Sequence, residues 1–270
     1  MRYWLCLLLL VFAAGCGTQA EDAQEKSKEE TMESEEVQPE EEPKAEEAAA
    51  SSDEQEEKET EPQYKLTESE TFVPIHNANE QVVLLTFDDA PDKHSLEIAK
   101  KLKELNAPAI FFVNGHFIDT VEKKEILKEI HSMGFPIGNH TMTHASLLEL
   151  SEEQQKEEIV NLNDLIEEVI GERPKFFRAP FGQNTDYSKE VAKQEGMLVM
   201  NWTYGYDWES QYQNSEALAD IMVNTELLGP GGNLLMHDRE WTAAAVPDIV
   251  KGLKEKGYEL LDPALIQTPE

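Results

Sequence analysis

Two adjacent aspartates, Asp88 and Asp89, close an apolar run in the stretch LLTFDDAP. Like charges repel each other, and successive side chains of a strand point to opposite faces, so an ordinary strand does not favour the pair. A surface turn would tolerate it, because Asp-Asp pairs are common in turns. The alternative is the mouth of a sheet or barrel where a cation is bound, and there a carboxylate can hold a metal or accept a proton.

Two histidines, His140 and His144, stand four residues apart in the stretch HTMTH. On a helix or tight turn this spacing brings both imidazoles to one side, within reach of one cation. Alone, the pattern is weak and more often marks surface histidines. With a carboxylate from a neighbouring strand end it completes a set of three ligands, which leaves coordination positions for water and substrate. One aspartate would then hold the metal, and the other would accept a proton from the attacking water.

Short apolar stretches alternate with longer amphipathic ones from residue 81 onwards, beginning with QVVLLTF and SLEIAKKLKELN. This pattern predicts buried parallel strands connected by helices, an α/β architecture. Ser151 is predicted to cap the helix that runs to Ile170. Four helices are predicted to end at glycines, namely Gly134, Gly171, Gly196 and Gly257. The polar clusters follow predicted strands, and the carboxyl ends of parallel strands lie on one face, so the clusters are expected to meet there.

Five short motifs resemble, in the same order, those of the polysaccharide deacetylase family, also known as the NodB homology domain or carbohydrate esterase family 4. They are TFDDA at 86–90, His140 to His144, RAPF at 178–181, Asp207 with Trp208, and Leu235 to His237. The resemblance extends over about residues 80–262. It implies the fold of that family, a distorted (β/α) barrel, for a domain predicted at residues 66–270.

The resemblance also implies catalytic roles. Asp88 would be the general base, oriented by Arg178, and His237 would be the general acid that protonates the departing amine. Asp207 would support His237 or Arg178. The implied metal ligands are Asp89, His140 and His144, and the implied metal is zinc, with cobalt or nickel as alternatives.

Further residues are predicted to contact the substrate. They are Asn114, Pro180, Phe181, Trp208 and Leu235. By resemblance, the backbone N–H near Phe181 would stabilise the oxyanion, Trp208 would wall the groove, and Leu235 would line the pocket for the acetyl methyl. Three tyrosines near Trp208 are also candidates for stacking on sugar rings, namely Tyr204, Tyr206 and Tyr212.

The chain departs from the family pattern at two positions. Ala90 replaces the usual glycine of the first motif, so a left-handed backbone is less accessible there. Tyr204 replaces the first aspartate of the fourth motif, which puts a charge network through that position in doubt. Neither change removes the predicted metal ligands or the predicted base.

The stretch MRYWLCLLLLVFAAGC at the N-terminus combines one arginine, an apolar run and small residues before a cysteine. The run is shorter than the roughly 20 residues of a membrane-spanning helix and is typical of an export signal. Its end resembles the lipobox of bacterial lipoproteins, which implies a signal peptide at residues 1–15 and a lipid on Cys16. An ordinary secretory signal is the alternative. Residues 16–65 are rich in glutamate and are predicted to form a disordered acidic tether.

The whole chain has 55 acidic and 23 basic side chains, a net charge of −32. This negative charge argues against nucleic acid or another anionic polymer as the main partner, and it permits a neutral ligand such as a sugar. The only two cysteines, Cys6 and Cys16, lie near the N-terminus, so no internal disulfide is expected to stabilise the domain.

These features predict metal-dependent N-deacetylation of a cell-wall polysaccharide, with N-acetylglucosamine of peptidoglycan as the preferred substrate. The protein is predicted to be a monomer, anchored by its lipid to the outer face of the bacterial cell membrane. N-acetylmuramic acid and chitin-like polymers are alternative substrates. The alternative function is that of a non-catalytic, glycan-binding lipoprotein, which the change at Tyr204 would favour.

Overall fold

The structure is a computed structural model that describes residues 61–269 of the chain. The predicted signal peptide at 1–15, the predicted lipidation site Cys16 and nearly all of the predicted tether at 16–65 lie outside these residues. Tyr64, two residues before the domain boundary predicted at residue 66, is buried and already belongs to a strand. Within 61–269, no helix combines the length and apolar character that a membrane span requires.

Eight strands form one parallel sheet, and two short strands precede it as an antiparallel pair. The pair is β1 (Tyr64–Leu66) and β2 (Phe72–Pro74). The sheet strands are β3 (Val82–Ala90), β4 (Ala109–Val113), β5 (Ile137–Asn139), β6 (Phe176–Phe177), β7 (Leu198–Val199), β8 (Tyr204–Gly205), β9 (Gly232–His237) and β10 (Glu259–Leu260). Their order is β7-β6-β5-β4-β3-β9-β8, and β10 pairs with the first two residues of β3.

Six helices connect these strands. They are α1 (Ser95–Glu104), α2 (Val121–Ser132), α3 (Glu152–Ile170), α4 (Asp186–Gln194), α5 (Ser215–Asn224) and α6 (Glu240–Glu255). Ser151 caps α3 as predicted, since its side chain accepts from the N–H of Gln154 while the Gln154 side chain bonds back to the backbone of Ser151. The four glycines predicted to end helices all have positive φ angles, between 72° and 93°.

The side chains of β3 alternate between two apolar cores. Val83, Leu85 and Phe87 pack into the larger core, which also contains the buried faces of the helices. Leu84 points to the opposite face and packs with Phe112 of β4 in a core enclosed by the sheet. Two-residue steps from Leu84 along the same face lead to Thr86 and then to Asp88. The inner face of β3 therefore begins apolar and ends polar, at the carboxyl end of the strand.

This arrangement confirms the predicted fold class, a distorted (β/α) barrel. Strands β7 and β8 end the strand order and do not pair with each other within residues 61–269, so the barrel is open there. The sequence pattern did not predict β1, β2 or β8, each of which has only two or three residues.

Candidate active site

A bulge at the end of β3 directs both aspartates to the same place. The pairing of β3 with β4 shifts by one residue just before Ala90, and Asp89 has a φ of 63°. As a result, Asp88 Oδ2 lies 3.5 Å from Nε2 of His140, and Asp89 Oδ1 lies 3.7 Å from Nε2 of His144. The left-handed backbone falls on Asp89 and not on Ala90, so the alanine is accommodated without that strain.

Asp89, His140 and His144 form a group that can hold a metal ion. One ligand atom of each residue lies within 4.8 Å of the other two. His140 Nδ1 donates to the carbonyl of Arg178 at 2.7 Å, which leaves Nε2 free on the side of the other ligands. Burial lowers the pKa of His140 although the charge of Asp88 opposes the shift, so the ring is neutral, as a metal ligand must be. The three residues thus fit a divalent cation.

Buried amides hold the turn that carries the two histidines. Asn139 Oδ1 accepts from the N–H of Thr141 at 2.9 Å, and Thr141 has a φ of 70°. Asn114 Nδ2 donates to the carbonyl of His140 at 2.5 Å. Asn114 is fully buried, and its contact with the substrate stays a prediction. It lies beneath the site and supports the backbone of a metal-binding histidine.

Arg178 is fully buried and holds Asp88. Its NH1 group donates to Asp88 Oδ1 at 2.7 Å and to Thr86 Oγ1 at 2.8 Å, while NH2 donates to the carbonyl of Asn201 at 2.8 Å. The guanidinium also lies 4.3 Å from the ring centre of Phe112, at the top of the inner core. A planar, permanently charged fork fixed at this many points orients Asp88 within a site that has little freedom to relax.

His237 ends β9 beside Asp207. Its Nδ1 lies 2.7 Å from Asp207 Oδ1, and the other carboxylate oxygen accepts from the N–H of His237 and from Thr242 Oγ1. Burial alone would lower the pKa of His237, but the hydrogen bond and charge of Asp207, with further charge from Asp88, raise it above its ordinary value. The sequence left open whether Asp207 supports His237 or Arg178, and these hydrogen bonds favour His237.

Two exposed aromatic side chains flank the site. Phe181 is 61% exposed, and its ring centre lies 4.9 Å from that of His144. Trp208 is 45% exposed, and its ring centre lies 5.5 Å from that of His237. Exposed aromatic rings on both sides of a polar site offer flat apolar surfaces to a ring-shaped ligand.

Two of the predicted substrate contacts are buried. Leu235 lies on β9 two residues before His237, so both side chains point to the same face of the strand. Pro180 begins the 3₁₀ turn that carries Phe181, whose φ is 60°. Leu235 thus lies on the same strand face as His237, and Pro180 directly precedes Phe181.

The three tyrosines near Trp208 all pack in or against the larger core. Tyr204 is buried in the larger core, and its hydroxyl donates to the carbonyl of Met222 at 2.7 Å. Tyr206 shares a hydrogen bond with Thr225, and the Tyr206 and Tyr212 rings pack together against the same core. The prediction of sugar stacking is therefore wrong for the buried Tyr204, while for the half-buried Tyr206 and Tyr212 it stays a prediction. Burial also raises the pKa of Tyr204, which stays neutral and takes no part in a charge network.

Replacing Tyr204 by phenylalanine should lower stability without changing catalysis. The change leaves the buried carbonyl of Met222 without its donor, which costs about 1 kcal/mol. Urea unfolding would measure the loss, and the rate per folded molecule should match that of the wild type. A large fall in the rate with unchanged stability would contradict the assignment of Tyr204 to the core.

The sequence motifs did not identify two charged residues that follow His237. Arg239 NH2 donates to Asp89 Oδ2 at 2.9 Å. Asp238 is buried, and its carboxylate accepts from the N–H groups of Lys93, His94 and Ser95 at the start of α1. The sequence contained one signal for Arg239, its position two residues beyond the strand-end His237. Its contact with Asp89 arises only in the folded structure.

Known proteins are similar to this chain in sequence. The model of a family described as polysaccharide deacetylase matches residues 76–200. A peptidoglycan-N-acetylglucosamine deacetylase of Bacillus cereus is 34% identical over 206 residues, which cover 73% of this chain and 75% of that protein. The peptidoglycan-N-acetylmuramic acid deacetylase PdaC of Bacillus subtilis is 32% identical over 76% of this chain and 42% of that longer protein.

Solved structures are also similar. The structure of PdaC aligns with a TM-score of 0.60 over 69% of this chain and 89% of that one. A pseudoenzyme of carbohydrate esterase family 4 from Bacillus anthracis is 26% identical and aligns with a TM-score of 0.63 over 70% of this chain and 67% of that one. The set of similar proteins thus includes members with different substrates and one described as a pseudoenzyme.

Proposed function

Because this chain belongs to the polysaccharide deacetylase family, we propose that it removes acetyl groups from N-acetylglucosamine residues of peptidoglycan. One observation carries the proposal. A carboxylate held by a buried arginine, a three-residue metal group and a histidine with a raised pKa all meet at one end of the sheet. Together such groups can supply the base, the Lewis acid and the general acid of metal-assisted amide hydrolysis.

Asp89, His140 and His144 would hold a divalent metal, with zinc the first choice and cobalt or nickel as alternatives. When bound, such a metal supplies Lewis acidity to the substrate carbonyl and to the attacking water. Asp88, oriented by Arg178, accepts a proton from that water as it adds to the carbonyl carbon. The C–N bond then breaks to give acetate and a free amine.

His237 supplies the proton that this last step needs. An amide anion is a very poor leaving group, so nitrogen must be protonated as the bond breaks. Asp207 bonds to Nδ1 of His237, which directs Nε2 towards the cleft. The backbone N–H near Phe181 would stabilise the oxyanion. Leu235 and Pro180 would line the pocket for the acetyl group. Phe181 and Trp208 would contact the sugar rings.

The location of the protein is proposed from the sequence and from the substrates of its relatives. A lipid on Cys16 would hold a monomer at the outer face of the cell membrane, and the domain would face the wall. Relatives named as peptidoglycan deacetylases support a cell-wall substrate. N-acetylmuramic acid is the alternative substrate, since that is the activity for which PdaC is named.

A second candidate function is glycan binding without catalysis. It is favoured by one observation, the structural similarity to the pseudoenzyme from Bacillus anthracis. Against it, a protein that only binds glycan needs neither an oriented base nor a supported acid, whereas here Arg178 holds Asp88 and Asp207 holds His237.

Acetate release by the purified protein tests the proposal. The protein would be stripped with a chelator, reloaded with Zn²⁺ or Co²⁺ and incubated with peptidoglycan or chitooligosaccharides. Metal-dependent release is expected, and mass spectrometry of digested peptidoglycan would identify the deacetylated sugar. Release from muramic acid alone would replace the proposed substrate. Glycan binding without release, with metal bound, would favour the second function.

The raised pKa of His237 predicts how activity depends on pH. A general acid works only while protonated, so activity should fall as pH rises through the pKa of His237. Replacing Asp207 by asparagine removes the charge that raises this pKa, and the fall should move to lower pH. Rates measured between about pH 5 and 9 for both proteins would check this, and an unmoved alkaline limb would contradict the role of His237.

A further inference from the structure

The two adjacent aspartates are held in the same manner by two different arginines. Asp88 offers Oδ1 to Arg178 at 2.7 Å and directs Oδ2 towards His140. Asp89 offers Oδ2 to Arg239 at 2.9 Å and directs Oδ1 towards His144. In each carboxylate, one oxygen is fixed by a guanidinium and the other faces a histidine of the metal group.

We propose that Arg239 is a positioning residue that fixes Asp89 as a metal ligand through a single oxygen. The inference rests on the proposed metal-dependent function and assigns a residue that the family motifs do not include. By occupying Oδ2, Arg239 leaves Oδ1 as the oxygen available to the cation. Carboxylates that bind metals are commonly oriented by such a hydrogen-bonded partner.

Arg239 is itself held in place for this role. Its NH1 group donates to the carbonyl of Asp238 at 3.1 Å while NH2 reaches Asp89. Asp238 is fixed in turn, because its buried carboxylate bonds to the start of α1 and its N–H donates to the carbonyl of Asp88 at 3.1 Å. The side chain of Arg239 thus bridges the end of β9 and the bulge on β3.

Asp89 lies where β3 is irregular, and its carboxylate reaches solvent. It has a φ of 63°, and its side chain is 15% exposed, so the regular strand does not set the direction of the carboxylate. Asp88, by contrast, is buried and pairs in register with His237 of β9. Without Arg239, Asp89 could rotate towards water or offer both oxygens to the cation.

Orientation and charge predict opposite effects of removing Arg239. A guanidinium close to a divalent cation repels it, so charge alone predicts tighter metal binding when the arginine is lost. Loss of orientation predicts weaker binding. Partners that orient a ligand typically contribute 10- to 100-fold in metal affinity, and the partly exposed charge of Arg239 is screened by water. We therefore expect orientation to dominate.

Zinc titration of the purified protein by calorimetry tests the inference without substrate. Arg239→Ala should raise the Kd for Zn²⁺ by about 10- to 100-fold. Arg239→Gln keeps a donor but not the charge and should fall between Arg239→Ala and wild type. Arg173→Ala is the matched control, since Arg173 is similarly exposed at 33% and is paired to Glu195 at 2.6 Å. Its Kd should equal that of the wild type.

Cobalt spectra provide a second measurement. If Arg239 restricts Asp89 to one oxygen, the cobalt-loaded Arg239→Ala protein should bind through both and absorb visible light more weakly, because d–d intensity falls as coordination number rises. Thermal unfolding in the presence of chelator would establish that every variant is folded before metal is added.

The outcomes separate this inference from the proposed function. Equal or tighter zinc binding by folded Arg239→Ala would overturn the inference alone. Zinc binding that weakens as expected, with no acetate release by the wild type on any glycan, would overturn the proposed function and leave the inference standing. A wild-type protein that binds none of Zn²⁺, Co²⁺ and Ni²⁺ would overturn both.

Discussion

Asp88→Asn should lower the rate of acetate release by at least about 10²–10⁴-fold, the usual contribution of a positioned general base. The amide has nearly the shape of the carboxylate, and its oxygen can still accept the hydrogen bond from NH1 of Arg178. It cannot take a proton from water. Steady-state rates on peptidoglycan, with zinc in excess, would measure the loss.

Metal content and glycan binding distinguish loss of the base from loss of the site. The Asp88→Asn protein should still hold one zinc per chain, because Asp89, His140 and His144 are unchanged. It should also still bind glycan. Asp248→Asn is a suitable control, since Asp248 is exposed on α6 and should not affect the rate. If acetate release persisted at a near wild-type rate, another residue would have to be the base.

Replacing Arg178 by methionine should have the largest effect on stability. Arg178 and Asp88 are both buried, and removing one partner of a buried ion pair leaves an uncompensated charge, at a cost of about 3–5 kcal/mol. Thr86 and the carbonyl of Asn201 also lose their donors. Urea unfolding would measure the loss, and catalysis should disappear with the orientation of Asp88.

A double-mutant cycle tests the cause of that loss. With Asp88→Asn in the same chain no charge remains unpaired, so the double variant should be more stable than Arg178→Met alone, by about 1–3 kcal/mol. Additive losses would indicate that Arg178 stabilises the fold through the inner core rather than through Asp88. Arg178→Lys keeps the charge but loses the forked guanidinium, so it should reduce activity more than stability.

Much of this site could be predicted from sequence because its groups occur in short local patterns. The pair Asp88–Asp89 ends an apolar run, and His140 and His144 are separated by a fixed interval. Alternation of apolar stretches predicted parallel strands, whose carboxyl ends share one face whatever the details of packing. The cap at Ser151 and the helix-ending glycines are equally local, since both depend on residues within a few positions.

Other features depended on contacts between distant segments. Asn114 and Tyr204 follow or begin strands near the cleft, yet one supports the histidine turn and the other fills the helical core. The direction of a single side chain is set by its strand register and by the helices packed against it. Neither is visible in a stretch of a few residues.

The sequence by itself determined which groups are present, their order along the chain and the edge of the sheet where they meet. The tertiary structure decided how they are aimed. Simple alternation would send Asp88 and Asp89 to opposite faces, and the bulge against β4 turns them to the same site. Arg178 and Arg239 then select which oxygen of each carboxylate faces the histidines. The two arginine–aspartate contacts join residues that are 90 and 150 positions apart in the chain, so no local sequence pattern encodes them.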